Sequence, residues 1–93
     1  MSEHLEKVTW TIKAWKDYTD WQDSDRKILI KINQIIQDII RNGNDGIGQA
    51  EPLKYELSGF WSRRIDKQNR LVYRINLDKK VEIVSCANHY DKK

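Results

Sequence analysis

Two periods divide the chain. Up to residue 42 apolar positions recur at helical spacing, and from residue 60 they alternate. Residues 5–10 are a short stretch with Val8 and Trp10 on one face, which predicts an opening strand. Thr11 is suited to cap a first helix of about 11 residues, with an apolar stripe of Ala14, Trp15, Tyr18 and Trp21. A second helix follows, with Ser24 able to cap it and Asp25 at its positive end. Ile28, Ile32, Ile35, Ile36 and Ile39 form one broad apolar face on it. Branched isoleucines are weak helix formers, so packing has to hold this helix. Asn42-Gly43 stops it through the left-handed preference of glycine. Trp15 and the isoleucine stripe are read as core.

Residues 42–52 carry Gly43, Gly46 and Gly48 and end at Pro52, which predicts a loop. Three strands follow, joined by short turns. The first runs from Phe60 to Ile65, and residues 66–69 turn. The second, Arg70 to Asn76, sets Leu71, Tyr73 and Ile75 against Arg70, Val72 and Arg74. After the turn Asp78-Lys79-Lys80, the third runs from Val81 to His89, with Val81, Ile83 and Ser85 against Glu82, Val84 and Cys86. Short connections make this an antiparallel meander. Two N-terminal helices packed on one face of a small antiparallel sheet give a two-layer α+β domain. No repeat or linker interrupts residues 1–93, which read as a single domain.

Composition narrows the class. The chain has 93 residues, 39% apolar and 33% charged, which suits one globular domain and excludes a disordered chain. The lone Cys86 cannot form an internal disulfide, and no Cys/His cluster has zinc spacing. A reducing cytoplasm is therefore expected, with no metal and no cofactor. The polar start and the lack of a long apolar run argue against a signal peptide or a membrane span. The net charge of +3 is unevenly spread: residues 1–50 carry 7 basic and 8 acidic side chains, residues 51–93 carry 10 and 6. A positive second half suits a phosphate-bearing partner, although an ordinary solvated surface has the same signature.

The helices cover one sheet face, and the other is left to water or a partner. Arg63, Arg64, Arg70 and Arg74 stand on these strands against Glu82. Arg63 and Arg64 are adjacent and point to opposite faces, so only one shares a face with Arg70. The planar fork of arginine suits phosphate, and Trp61 and Tyr90 at the rim could stack on bases. Two groups near this face could move protons. Glu51 is held extended by Pro52, and His89 ends the last strand. A base, an acid and a cation suffice to cut RNA without a metal. A carboxylate or imidazole at a strand end is, however, ordinarily a surface residue.

Longer blocks carry more specific information. Glu51-Pro52-Leu53-Lys54, the run Leu57-Ser58-Gly59-Phe60-Trp61-Ser62-Arg63-Arg64-Ile65, Arg70-Leu71-Val72-Tyr73 and His89-Tyr90 occur in this order. With Trp15, Trp21-Gln22 and Lys31-Ile32-Asn33, they make nearly the whole chain resemble the YoeB toxins, a branch of the RelE-like toxins of bacterial toxin–antitoxin systems. The resemblance implies a microbial-ribonuclease-like fold and a toxin that enters the ribosomal A site and cuts mRNA. It implies Glu51 as general base, Arg70 stabilising the transition state, His89 as general acid and Tyr90 positioning the substrate. Lys54 and Arg64 would contact phosphate, with Arg63 and Arg74 as further candidates. The implied partners are a YefM-like antitoxin, the bacterial ribosome with its A-site mRNA, and a second copy in a homodimer. Family members commonly end in Arg-Tyr-His-Tyr, where this chain reads Ala87-Asn88-His89-Tyr90 followed by Asp91-Lys92-Lys93. That departure keeps a second function open, a protein that blocks the A site without cutting. Cys86 is read as a small buried residue and not a nucleophile.

Overall fold

The computed structural model describes residues 5–87. It contains β1 (Lys7–Trp10), α1 (Ile12–Ser24), α2 (Arg26–Asn42), β2 (Glu51–Pro52), a 3-10 turn (Tyr55–Leu57), β3 (Trp61–Arg64), β4 (Arg70–Ile75) and β5 (Lys80–Ser85). The strands form one sheet in the order β1-β5-β4-β3-β2. The expected α+β layers are present, and β3, β4 and β5 form the expected meander. The sheet is mixed, not purely antiparallel, because β1 pairs parallel with β5. A helical hairpin separates β1 from the rest of the sheet, and such a long crossover is what parallel pairing requires.

Capping residues set the helix limits. The Thr11 hydroxyl accepts the Ala14 N–H at 3.0 Å and donates to the Val84 carbonyl at 2.8 Å, so it starts α1 and ties it to β5. Asp25 does two jobs. Its N–H closes α1 on the Trp21 carbonyl at 3.0 Å, and its carboxylate accepts from Lys27 N at 3.1 Å and Ile28 N at 3.3 Å to open α2. Ser24 was expected as this cap. It instead lies in the last turn of α1, its hydroxyl donating to the Asp20 carbonyl at 3.0 Å. A carboxylate is the stronger acceptor at the positive end of a helix, so the cap moves one residue on. Gly43 ends α2 at φ +65°, its N–H bonded to the Ile39 carbonyl at 2.8 Å.

The core lies between the helices and one sheet face. Ala14, Ile32, Ile35 and Ile39 meet Ile65, Leu71, Tyr73, Val81, Ile83 and Cys86. Burying a Leu- or Ile-sized side chain contributes about 1.5–3 kcal/mol, so the isoleucine stripe supplies what helix propensity withholds. Trp15 departs from expectation, since it is 52% exposed. It follows Ala14, the one fully buried residue of α1, and one residue on a helix turns the side chain about 100° away. It packs at the surface against Trp10 and Tyr18 instead.

The alternation of β5 also breaks. Tyr73 pairs with Ile83, but Val72 pairs with Ser85, so β5 carries one extra residue at Val84. Such a bulge reverses the side-chain phase. Ser85 joins the row of Val72, and Cys86 enters the core. Its thiol is pushed up to about 12 by burial and then by the Asp17 charge, so it stays protonated. No helix among the described residues is long and apolar enough to cross a membrane.

Candidate nucleic-acid site

Strand register builds the open face. Glu51 on β2 lies opposite Ser62 on β3, Ser62 opposite Val72 on β4, and Val72 opposite Ser85 on β5. Two pairs further along, Arg64 faces Arg70 across β3 and β4. Opposed residues and their i+2 neighbours share a face. Glu51, Ser62, Arg64, Arg70, Val72 and Arg74 therefore stand on the side away from the helices. The strand parity expected from Arg63-Arg64 resolves so that Arg64, not Arg63, accompanies Arg70.

Glu51, Arg64 and Arg70 line one small polar pocket together with Gln49 and Ser62, a space of about 20 Å3. Two guanidinium groups stand in register here, and like charges directly opposite each other repel. Arg70 Nη1 is buried and has no hydrogen-bond partner among the described residues. A buried donor left unpaired costs about 1–3 kcal/mol, and more when it is charged. An anion between the arginines would relieve both costs.

The remaining candidates are placed differently. Arg63 is fully buried on the helix side. Its guanidinium bonds to the Asp38 carboxylate at 2.8 Å, the Ile47 carbonyl at 2.7 Å, the Gly43 carbonyl at 2.6 Å and the Tyr73 hydroxyl at 3.2 Å. Every edge of its fork is used internally, so the expectation that it contacts phosphate is corrected. Arg74 is on the open face, but its Nε lies 2.8 Å from Glu82 Oε1 and its guanidinium is 5.1 Å above the Phe60 ring. Its charge is partly neutralised before any phosphate arrives. Lys54 is exposed at the start of the 3-10 turn and does not line the pocket. His89 and Tyr90 lie outside the described residues. Among the described residues, no group of three or more His, Cys, Asp or Glu is placed to hold a metal ion.

Three residues were missed. Ser62 could have been found, because strand parity puts it on the face of Arg64. Gln49 sits in the left-handed region at φ +52°, a loop geometry with no periodic signal in the sequence. Asp38 reads as an ordinary polar position of a helix, but it is the ionic partner of Arg63. Partial burial pulls its carboxyl upward. Hydrogen bonds from Arg63, Asn42 and the Ile47 N–H, with the Arg63 charge, outweigh this and hold it below the usual aspartate value.

A helical hairpin over a five-stranded sheet, with two arginines in register and a carboxylate on the uncovered face, defines a small α+β toxin-like fold with a cationic pocket. The chain belongs to the family of YoeB-like toxins of bacterial type II toxin–antitoxin systems, whose family model matches residues 10–90. It is 48% identical to Toxin YoeB of Escherichia coli O6:H1 over 84 residues, covering 90% of this chain and 99% of that protein. The YoeB dimer of Staphylococcus aureus superposes with a TM-score of 0.85 at 41% identity, covering 92% of this chain and 99% of that one. The heterotetrameric YoeB–YefM complex from the same organism gives a TM-score of 0.84 at 42% identity, covering 95% of this chain and 100% of that one.

Proposed function

We propose that this toxin is a ribosome-dependent endoribonuclease that cuts A-site mRNA by acid–base catalysis and so stops translation. The observation that carries the reading is Arg70 Nη1, without a hydrogen-bond partner among the described residues and set in one polar pocket with Glu51. In the reaction, the Glu51 carboxylate takes the proton of a ribose 2′-OH. The 2′ oxygen bonds to the adjacent phosphorus while the bond to the 5′ oxygen breaks. Arg70 donates to the non-bridging oxygens as their charge grows, where a preorganised donor is worth most. Arg64 lines the same pocket and adds positive charge. His89 gives a proton to the departing 5′ oxygen, with Tyr90 positioning the substrate and Lys54 contacting phosphate beyond the pocket. The products are a 2′,3′-cyclic phosphate and a free 5′-OH.

A small open face holds few positioning contacts, which favours a substrate already ordered by the ribosome. The partners follow the relatives. A YefM-like antitoxin neutralises the toxin in the cytoplasm, its acidic and apolar tail suiting the arginine-bearing face, and a second copy forms a homodimer. The deciding experiment follows ribosome-bound mRNA by primer extension in a reconstituted translation reaction. Wild-type protein should give cuts at codon positions. Glu51→Ala, Arg70→Ala and His89→Ala should each suppress them while the protein stays folded. Arrested translation with intact transcripts would instead favour a toxin that only blocks the A site.

A further inference from the structure

The loop that leads into Glu51 has little core of its own. Asp45, Gly46, Ile47 and Gln49 are exposed. What holds it is Arg63. Nη2 donates to the Gly43 carbonyl at 2.6 Å, and Nη1 donates to the Ile47 carbonyl at 2.7 Å, so one guanidinium grips both ends of the bend. Nε donates to the Tyr73 hydroxyl at 3.2 Å, which donates in turn to Asn44 Oδ1 at 2.8 Å. Asp38 Oδ2 accepts from Arg63 Nη1 at 2.8 Å and from the Ile47 N–H at 3.1 Å. The fit is close. A Cβ on Gly46 would collide with Asp38 Oδ2, and one on Gly48 would fall 3.2 Å from Arg63 Cβ. Immediately after this grip, the Gly48 carbonyl accepts the Arg64 N–H at 2.6 Å, and the chain passes through Gln49 to Glu51.

The far side of Glu51 is held lightly, since β2 has only two residues. We propose that Arg63, with Asp38 and Tyr73, is a positioning latch that sets the Glu51 carboxylate against Arg70 across the pocket. This rests on the reading of Glu51 as the general base. Arg63 touches no substrate and acts through the loop. Its neighbour Arg64 faces the substrate, so adjacent arginines divide positioning from binding.

The test uses variants that leave Arg63 in place, because Arg63→Ala would endanger folding. Tyr73→Phe removes the hydroxyl and Asn44→Ala removes the loop acceptor. Cleavage of ribosome-bound mRNA is measured at single turnover, alongside amide hydrogen exchange of residues 43–50. Each variant should lower the cleavage rate about tenfold with little change in KM, since a displacement near 1 Å can cost up to about a hundredfold. Exchange in the loop should quicken. Added to Glu51→Ala, neither substitution should lower the residual rate further, because the group being positioned is already gone. An equal loss in the Glu51→Ala and wild-type backgrounds would overturn the latch, as would quicker exchange with an unchanged rate. A Glu51→Ala protein as active as wild type would overturn the base assignment itself, an outcome distinct from the other two.

Discussion

Arg63 and Arg64 are neighbours in sequence and opposites in environment. Arg63 is fully buried under the helices, bonded to a carboxylate, two carbonyls and a hydroxyl. Arg64 is exposed on the other side, in register with a second arginine and with no ion pair among the described residues. On the covered face, cationic charge is matched internally and serves the fold. On the open face Arg74 pairs with Glu82, but Arg64 has no ion pair and Arg70 Nη1 no hydrogen-bond partner among the described residues. Matched charge marks the structural arginine here, and unmatched charge marks the proposed site. That distinction is sharper than composition, which counts both arginines alike.

The comparison can be broken by substitution. The largest effect should come from Arg63→Ala, which strands the Asp38 carboxylate and three other groups. Breaking a buried pair costs about 3–5 kcal/mol, to be read from the urea midpoint. A loss below about 1 kcal/mol would mean that the covered face does not depend on its arginine. Arg70→Ala should act the other way round. Cleavage should fall about 100- to 1,000-fold, as for the loss of one preorganised donor. The urea midpoint should hold or rise, because a buried donor without a partner among the described residues is removed.

Acid should attack the covered face next. Asp38 and Asp66 both lie below the ordinary aspartate value of 3.8 in the folded protein. For Asp66, slight burial raises the value, but the N–H groups of Asn69 and Gln68 and the Asn69 side chain lower it further. Groups depressed on folding stabilise above the unfolded value, and that stability is lost as pH falls through the folded value. Urea midpoints should therefore drop below about pH 3.8, and Asp38→Asn should flatten that decline. The smallest effect should be that of Arg74→Ala, whose exposed pair with Glu82 contributes within about 1 kcal/mol. Its stability loss should remain well below that of Arg63→Ala, and its cleavage loss well below that of Arg70→Ala.

Much of this architecture was legible along the chain. The isoleucine stripe, the stop at Asn42-Gly43 and the alternation from Phe60 onward each rest on local rules, and local rules survive folding. Errors arose where a neighbouring residue or the packing around an element competes. Ser24 lost the cap to Asp25 because the carboxylate is the better acceptor. Trp15 stayed exposed because α1 offers the core only Ala14 fully. The Val84 bulge reversed the phase of Ser85 and Cys86, and no periodic pattern announces an inserted residue. At the pocket, the family resemblance named Glu51, Arg64 and Arg70, whereas parity alone left open which of Arg63 and Arg64 would face it. The pocket role of Gln49 depended on a left-handed backbone that nothing local specifies.

The order of residues alone determined the two helices, the meander and the excess of arginine on it, because periodicity and parity are properties of a few consecutive positions. Only the tertiary structure decided which arginine would bind Asp38 and the loop, and which would line the pocket on the open face. That choice depends on groups 25 residues apart in the chain, as Asp38 and Arg63 are, meeting at 2.8 Å. Such a meeting is set by how helices seat on a sheet, which no short stretch of sequence encodes.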